Sequence, residues 1–347
     1  MRGNRNPLCD KRQSLRACAA GLVGATVVAS AQRGLNVLKP LGDVILLAGP
    51  TASGKSALAL ELAERSAGVV INADALQVYR DLRVLTARPS VADEARVPHR
   101  LYGHVPASER YSVGRWLGEV AAALAEARRA GWLPIVVGGT GLYFKALTEG
   151  LANVPAIPSA IREKWRAALA EEGPAALYRR LAELDPEGAG AIRSSDPARI
   201  VRALEVIDAT GTPLAEWQRT SAAPLVDRSA RRFVIEIDRA LLLERIGRRL
   251  EAMIGQGALL EVEALVRQRL DPAMPIMKAV GVREFTAHIE GRASLEEALA
   301  EVKRATARYA KRQMTWLRNQ MADWERLDAG NIRKVVEALA QQTKKMH

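Results

Sequence analysis

The order of patterns in this chain predicts an α/β fold, a parallel sheet flanked by helices and interrupted by an all-helical insertion. Three observations carry that expectation. The run 44–48, Val-Ile-Leu-Leu-Ala, is short, apolar and β-rich, and it leads through Gly49-Pro50-Thr51-Ala52-Ser53-Gly54-Lys55-Ser56 into a helical pattern over 57–65, with Leu58 and Leu62 four apart. Two more β-rich runs, 68–74 and 133–137, are separated by a helical pattern, the alternation of a parallel sheet. From 155 to about 219 the texture is helical and charged, with no strand pattern.

The octapeptide fits G-x-x-x-x-G-K-[ST], and a strand before it with a helix after it is the context in which that pattern cradles phosphate. Loop N–H groups and the positive end of the helix dipole point at one spot, Lys55 adds a charge there, and Ser56 offers a hydroxyl to a magnesium ion. The sheet is therefore P-loop NTPase-like, and 49–56 is expected to hold a polyphosphate or a pyrophosphate. A glycine-rich strand-to-helix turn that merely matches the pattern is the bland alternative.

The second strand, 68–74, ends in Asp74 on the sheet edge that carries the loop, where a carboxylate can serve as a base or metal ligand. Capping of a helix from Ala75 is the other reading. Residues 81–112 are irregular, broken by Pro89, Pro98 and Pro106. Ser112 is placed to cap a helix over 113–129 that Gly131 closes. The third strand runs into Gly138-Gly139-Thr140-Gly141, where a typical P-loop ATPase or GTPase would carry a magnesium-holding aspartate. Glycines there admit a ligand close to the backbone and Thr140 offers a hydroxyl; a turn needing positive φ is the alternative. Helices are expected over 159–172, 174–184 and 196–210, the last running from Asp196-Pro197 to Gly211. A strand over 232–238, helices over 241–256 and 259–269, a basic glycine-containing turn over 278–284, a helix from Ser294, a short strand near Trp324 and a helix to about 342 complete the pattern. The expected domains are a P-loop core, 41–154 with 223–347, and a helical insertion, 155–222.

A net charge of +12 favours a polyanionic partner such as RNA, through counterion release from its phosphates. Between 302 and 322 lie Lys303, Arg304, Arg308, Lys311, Arg312 and Arg318 and no acidic residue, with four of them at helical spacing: either a phosphate-contacting face or a solvated one. Two cysteines, Cys9 and Cys18, give no disulfide framework, and four scattered histidines give no ligand pattern. Basic residues before position 17 and the apolar run 17–31 imitate an export signal. Chemistry on phosphates with magnesium argues for a cytoplasmic protein, so 1–40 is expected to be a disordered N-terminal extension. No other apolar run approaches the roughly 20 residues that a membrane span needs.

Several segments resemble the tRNA dimethylallyltransferase (tRNA isopentenyltransferase) family: the loop Gly49 to Ser56, Asn72-Ala73-Asp74-Ala75-Leu76-Gln77-Val78-Tyr79, Thr86-Ala87-Arg88-Pro89, and Val136-Val137-Gly138-Gly139-Thr140-Gly141-Leu142-Tyr143. Asp196-Pro197-Ala198-Arg199-Ile200-Val201-Arg202-Ala203-Leu204-Glu205-Val206 and Lys311-Arg312-Gln313-Met314-Thr315-Trp316-Leu317-Arg318 are similar to that family too. The resemblance implies transfer of a dimethylallyl group from its diphosphate to N6 of the adenosine just 3′ of the tRNA anticodon, with Mg²⁺. It implies that Gly49, Pro50, Thr51, Ala52, Ser53, Gly54, Lys55 and Ser56 hold the diphosphate, Ser56 at the metal and Lys55 against the charge of the leaving pyrophosphate. Asp74 is implied as general base for the N6 proton, and Thr140 as a hydrogen-bonding group at the reaction centre. Contacts to the anticodon stem-loop are implied for Asp74, Ala75, Leu76, Gln77, Thr140, Arg162, Ala198, Arg199, Ile200, Val201, Arg202, Lys278 and Arg283, with the target base leaving its stack. A monomer without membrane attachment is expected. The chain departs from the family's usual Gly-Thr-Ala-Lys-Pro and His-His with Leu85-Thr86-Ala87-Arg88-Pro89 and His99-Arg100.

Two other classes use the same loop. A small-molecule kinase would hold ATP on it and activate a hydroxyl with Asp74, but the missing strand-end aspartate and the basic helix count against that. A nucleotide-switched RNA-binding module has no need of Asp74 and Thr140 beside the phosphates.

Overall fold

The computed structural model describes residues 44–219, 222–329 and 337, so the expected extension over 1–40 and the expected C-terminal helix lie outside the described residues, Glu337 apart. Apolar runs without polar alternation become strands buried on both faces. β1 (Ile45–Ala48) and β2 (Gly68–Asn72) are wholly buried. The two-residue β3 (His99–Arg100) adds an edge, and β4 (Leu133–Gly138) is again wholly buried. With β5 (Arg231–Glu236) and β6 (Glu325–Asp328) they form one parallel sheet in the order β3-β2-β4-β1-β5-β6. β1 is thus central, and its last residue, Ala48, pairs with Gly138 on one side and Val234 on the other. Whatever follows β1 emerges in the crevice where strand order reverses, the usual ligand position of an open α/β sheet.

The helix after the loop, α1 (Lys55–Arg65), buries Leu58 and Leu62 among Ile45, Leu47, Ile135 and Val137 of one sheet face. Within the stretch read as irregular, Ser90 and Asp93 form a capping box for α2 (Val91–Arg96), a short element that the prolines around it obscure. On α3 (Val113–Ala130) the Ser112 hydroxyl accepts from the Arg115 N–H, and Gly131 ends the helix at φ 70°. Trp116, Leu117, Val120 and Leu124 are its buried stripe. α4 (Gly141–Glu149) follows β4.

Residues 149–224 form a compact unit of their own, and the remainder of the chain forms the other. In the helical unit, α5 (Ser159–Leu184) is broken at Gly173, whose φ of 77° lies outside the helical range just before Pro174, so the two helices expected there meet at a kink. The five-residue α6 (Pro186–Gly190), α7 (Pro197–Thr210) and α8 (Leu214–Arg219) complete it, α7 starting where Asp196 accepts from the Arg199 N–H. Trp165, Leu177, Leu181, Ile200, Val201 and Leu204 are its core.

In the larger unit, α9 (Arg239–Gly255), α10 (Ala258–Arg267), α11 (Val282–Ile289) and α12 (Leu295–Gln320) build a second apolar cluster with the 78–107 segment, including Leu82, Leu85, Ile246, Leu250, Met253, Val262, Phe285 and Val302. The basic turn expected over 278–284 differs. Pro275–Lys278 is a 3₁₀ turn, Gly281 starts α11 at φ 101°, and Arg283 and Glu284 already belong to its first turn.

The end of β4 is held by close approach rather than by unusual dihedrals. A Cβ on Gly138 would lie 2.0 Å from the Ala73 carbonyl oxygen, a clash with backbone that no side-chain motion relieves. Gly138→Ala is expected to cost about 1–3 kcal/mol, as over-packing does, read as a lowered Tm in thermal unfolding; an unchanged Tm would show that β2 and β4 can part here.

Candidate active site

The loop after β1 is shaped to receive an anion. Ala52 (φ 61°) and Gly54 (φ 93°) are left-handed, and alternation of that kind turns successive N–H groups inward. Gly54 also caps α1 without a side-chain hydrogen bond, which leaves the first N–H groups of that helix and its dipole to the loop. The Gly49 N–H donates to the Gly138 carbonyl at 3.2 Å, tying the start of the loop to the end of β4. Lys55 donates to the Pro50 carbonyl at 3.1 Å. Part of Lys55 remains open to the site, yet enough protein surrounds its ammonium that burial lowers its pKa to about 8, with Asp74 opposing that shift and Arg249 adding to it. Ser56 is exposed on the cavity side.

Asp74 is fixed from behind. Its N–H donates to Asn72 Oδ1 at 2.8 Å, Asn72 Nδ2 donates to the Asp74 and Leu101 carbonyls at 3.0 Å each, and Trp116 Nε1 donates to the Asn72 carbonyl at 2.8 Å. Its Oδ1 accepts from the Leu76 N–H at 3.0 Å, so the capping alternative holds for one oxygen, although 75–78 is a turn and not a helix. Oδ2 makes no hydrogen bond among the described residues and is the oxygen free for chemistry. Thr140 supports the same segment: its hydroxyl accepts from the Ala75 N–H at 2.9 Å and its own N–H donates to the Ala73 carbonyl at 3.2 Å.

Around these groups lies a cavity of about 720 Å³ with two kinds of wall. One is cationic and polar: Thr51, Gly54, Lys55, Ser56, Asp74, Arg245 and Arg249. The other is apolar: Leu76, Leu85, Ile246, Leu250, Met253 and Val302. Arg245 donates to the Ser53 carbonyl at 3.0 Å, and Arg249 reaches the Thr51 hydroxyl at 3.5 Å. Burial lowers the Arg249 pKa while Asp74 opposes it, so Asp74, Lys55 and Arg249 form one electrostatic group. Tyr309 also lines the cavity, its phenol pushed up by burial and by the Asp74 charge.

The expected site residues fall into three places. Thr51, Ala52, Gly54, Lys55, Ser56, Asp74, Leu76 and Gln77 line the cavity, whereas Thr140 stands behind it and acts on the Asp74-Ala75 backbone. Gln77 spends its amide donors on the Thr86 and Ala87 carbonyls at 2.9 and 3.0 Å. The glycines of the 138–141 turn admit protein rather than ligand: a Cβ on Gly139 would meet the Gln313 amide, and one on Gly141 the Trp316 ring. In the helical unit Ala198 and Arg199 are exposed and Arg202 is partly so, but Ile200 is 0% and Val201 8% exposed. The expectation that Ile200 and Val201 contact RNA is corrected for their side chains, which fill the core of that unit. Arg162 has a buried Nε with no partner among the described residues, Lys278 is exposed, and the exposed Arg283 pairs with Glu284 at 3.1 Å.

Arg245, Arg249 and Gln313 are the site residues that pattern reading passed over. A signal existed for each. The two arginines are four apart beside the buried stripe Leu242, Ile246, Leu250, Met253, and Gln313 is the lone polar residue in the stripe Val302, Ala310, Leu317. No group of three His, Cys, Asp or Glu side chains able to hold a metal occurs among the described residues, and none of the described helices is long and apolar enough to cross a membrane.

A family profile described as IPP transferase matches residues 77–320, and another, isopentenyl transferase, matches 42–104. A tRNA dimethylallyltransferase of Azorhizobium caulinodans is 54% identical over 295 residues, 85% of this chain and 94% of its own. That of Agrobacterium fabrum is 52% identical over 287 residues, 82% of this chain and 96% of its own. Among solved structures, the full-length tRNA isopentenylpyrophosphate transferase of Bacillus halodurans matches with a TM-score of 0.61 at 30% identity, covering 88% of this chain and 99% of its own. A eukaryotic dimethylallyltransferase acting on tRNA matches with a TM-score of 0.71 at 29% identity, covering 82% and 73%. With the profile spanning most of the chain and relatives more than half identical across nearly their whole length, the chain belongs to the tRNA dimethylallyltransferase family.

Proposed function

We propose that this protein transfers a dimethylallyl group from dimethylallyl diphosphate to N6 of the adenosine just 3′ of the anticodon in tRNA, releasing pyrophosphate. One observation carries the reading: a single cavity joins a cationic end at the glycine loop, an apolar wall and a fixed carboxylate. The diphosphate lies on the loop N–H groups and Lys55, with Arg245 and Arg249 beside it, and the five-carbon chain lies along Ile246, Leu250, Met253 and Val302. N6 attacks the allylic carbon, the C–O bond to the diphosphate breaks with its electron pair leaving on pyrophosphate, and Asp74 takes the N6 proton. The Ser56 hydroxyl, exposed on the cavity, would be the chain's own ligand to Mg²⁺. Bound there, the ion would offset charge gathering on the leaving group.

For the RNA, the exposed Arg199 and Lys278, together with Arg202 and Arg283, are suited to phosphates. The outer face of α12 adds Lys303, Arg304, Arg308, Lys311, Arg312 and Arg318, all exposed, of which Arg304 and Arg308 share the carboxylate of Glu301 at 2.7 and 2.9 Å. Replacing Arg308 and Lys311 with Gln is expected to flatten the slope of log affinity for tRNA against log salt by about two phosphate contacts. An unchanged slope makes this face merely solvated.

A kinase finds less support. β4 ends in glycine, and the aspartate after β5, Asp238, caps α9 through one oxygen, which accepts from the Ala240 and Leu241 N–H groups, and does not line the cavity. The acceptor is tested directly: unmodified tRNA with adenosine 3′ of the anticodon takes label from the donor, and the same tRNA with guanosine there does not. Equal labelling of both would place the chemistry elsewhere on the RNA.

A further inference from the structure

Gln313 is the only polar residue that α12 buries, at 6% exposure. Its Oε1 accepts from the Thr51 N–H of the phosphate loop at 2.9 Å, and its Nε2 donates to the Gly139 carbonyl at 3.0 Å. The partners fix the amide's orientation, because a backbone N–H can only donate and a carbonyl only accept. One turn further on, Trp316 packs so closely on Gly141 that a Cβ there would lie 2.0 Å from its ring, which anchors α12 on the same turn. Gly139 is followed by Thr140, the residue that holds the Asp74-Ala75 segment.

We propose that Gln313 is a positioning residue, which sets the phosphate loop at a fixed distance from the Gly139-Thr140 turn and so sets the leaving diphosphate against Asp74. Its kinetic consequences rest on the donor reading above. The bridge needs a donor and an acceptor on one planar group. A primary amide supplies both, whereas a carboxylate supplies only the acceptor and leucine neither. Because Gln313 occupies the Thr51 N–H, the loop's anion contacts come from its other N–H groups and Lys55.

Gln313→Leu, close in volume but without either hydrogen bond, is expected to raise KM for dimethylallyl diphosphate and to lower kcat, together by about 10–10²-fold in kcat/KM, as small misplacements do. Its dissociation constant for unmodified tRNA stays that of wild type. Gln313→Glu retains an acceptor for Thr51 but at neutral pH has no donor for Gly139. As pH falls and its carboxyl takes up a proton the donor returns, so its kcat/KM relative to wild type climbs toward acid pH. The Leu variant lacks that recovery, and a merely structural role does not produce it. Calorimetry with pyrophosphate and Mg²⁺ follows the same order, wild type tighter than either variant, without turnover. A wild type that binds pyrophosphate but never prenylates tRNA breaks the donor reading and leaves the Gln313 comparison standing. Unchanged donor KM and pyrophosphate affinity in Gln313→Leu, or a loss confined to tRNA affinity, overturns the proposal. Should the Leu variant not fold, the pH profile of Gln313→Glu decides, and a flat ratio to wild type counts against it.

Discussion

Asp74→Asn is expected to lower kcat by on the order of 10²–10⁴-fold, the contribution of a well-placed base, while affinities for tRNA and for pyrophosphate stay near wild type. The geometry makes the substitution clean. The amide oxygen of Asn can keep the hydrogen bond to the Leu76 N–H, and the Asn72 contacts that fix residue 74 are to its backbone, so the segment keeps its place. What disappears is the second carboxylate oxygen, to which no described residue hydrogen-bonds, and with it the proposed acceptor for the N6 proton. Single-turnover rates beside equilibrium binding check this. If binding of tRNA falls as far as turnover, Asp74 serves the RNA contact and the base lies elsewhere.

Donor affinity is expected to weaken as pH rises through about 8, by up to tenfold per unit, because in the proposed reaction the diphosphate meets the charge on Lys55. Burial is the main cause of the lowered pKa, and a bound diphosphate raises it again, so binding above pH 8 takes up a proton. Calorimetry in buffers of different ionisation enthalpy, with Lys55→Met as reference, isolates this from the ligand's own titration. Lys55→Met should lose the proton uptake and on the order of 10²–10³-fold in kcat/KM. The stability effect has the opposite sense. Folding lowers this pKa from 10.5, so the folded chain binds fewer protons than the unfolded one between about pH 8 and 10.5; the cost of burying charged Lys55 is full below pH 8 and is relieved as pH climbs through that window. Proton uptake that persists in Lys55→Met would assign the titration to another group.

Much of the frame was legible because it rests on local rules. The wholly apolar runs 44–48 and 133–137 became interior strands, and the glycine loop between strand and helix marked the candidate phosphate site. The break between helices at Gly173 and the helix starts at Ser112, Asp196 and Ser294 were visible for the same reason, since each acts on its own neighbours. Contacts between residues far apart in the chain were not. Gln313 meets Thr51 across 262 positions and Arg249 meets it across 198, and nothing near either residue announces its partner. The glycines of 138–141 misled in an instructive way: none of them is at positive φ, and the space above them belongs to Ala73, Gln313 and Trp316 rather than to a ligand. Ile200 and Val201 share a motif with basic neighbours, but helical periodicity turns them inward.

The loop is proposed to grip a leaving group, and a doubly labelled donor tests that most directly. With dimethylallyl diphosphate carrying one label in its carbons and another in its phosphorus, and with Mg²⁺ and unmodified tRNA but no ATP, the carbon label is predicted to enter tRNA while the phosphorus label appears as pyrophosphate in equal amount. Phosphorus label on the tRNA or any other acceptor, or a requirement for ATP before carbon is transferred, would contradict it.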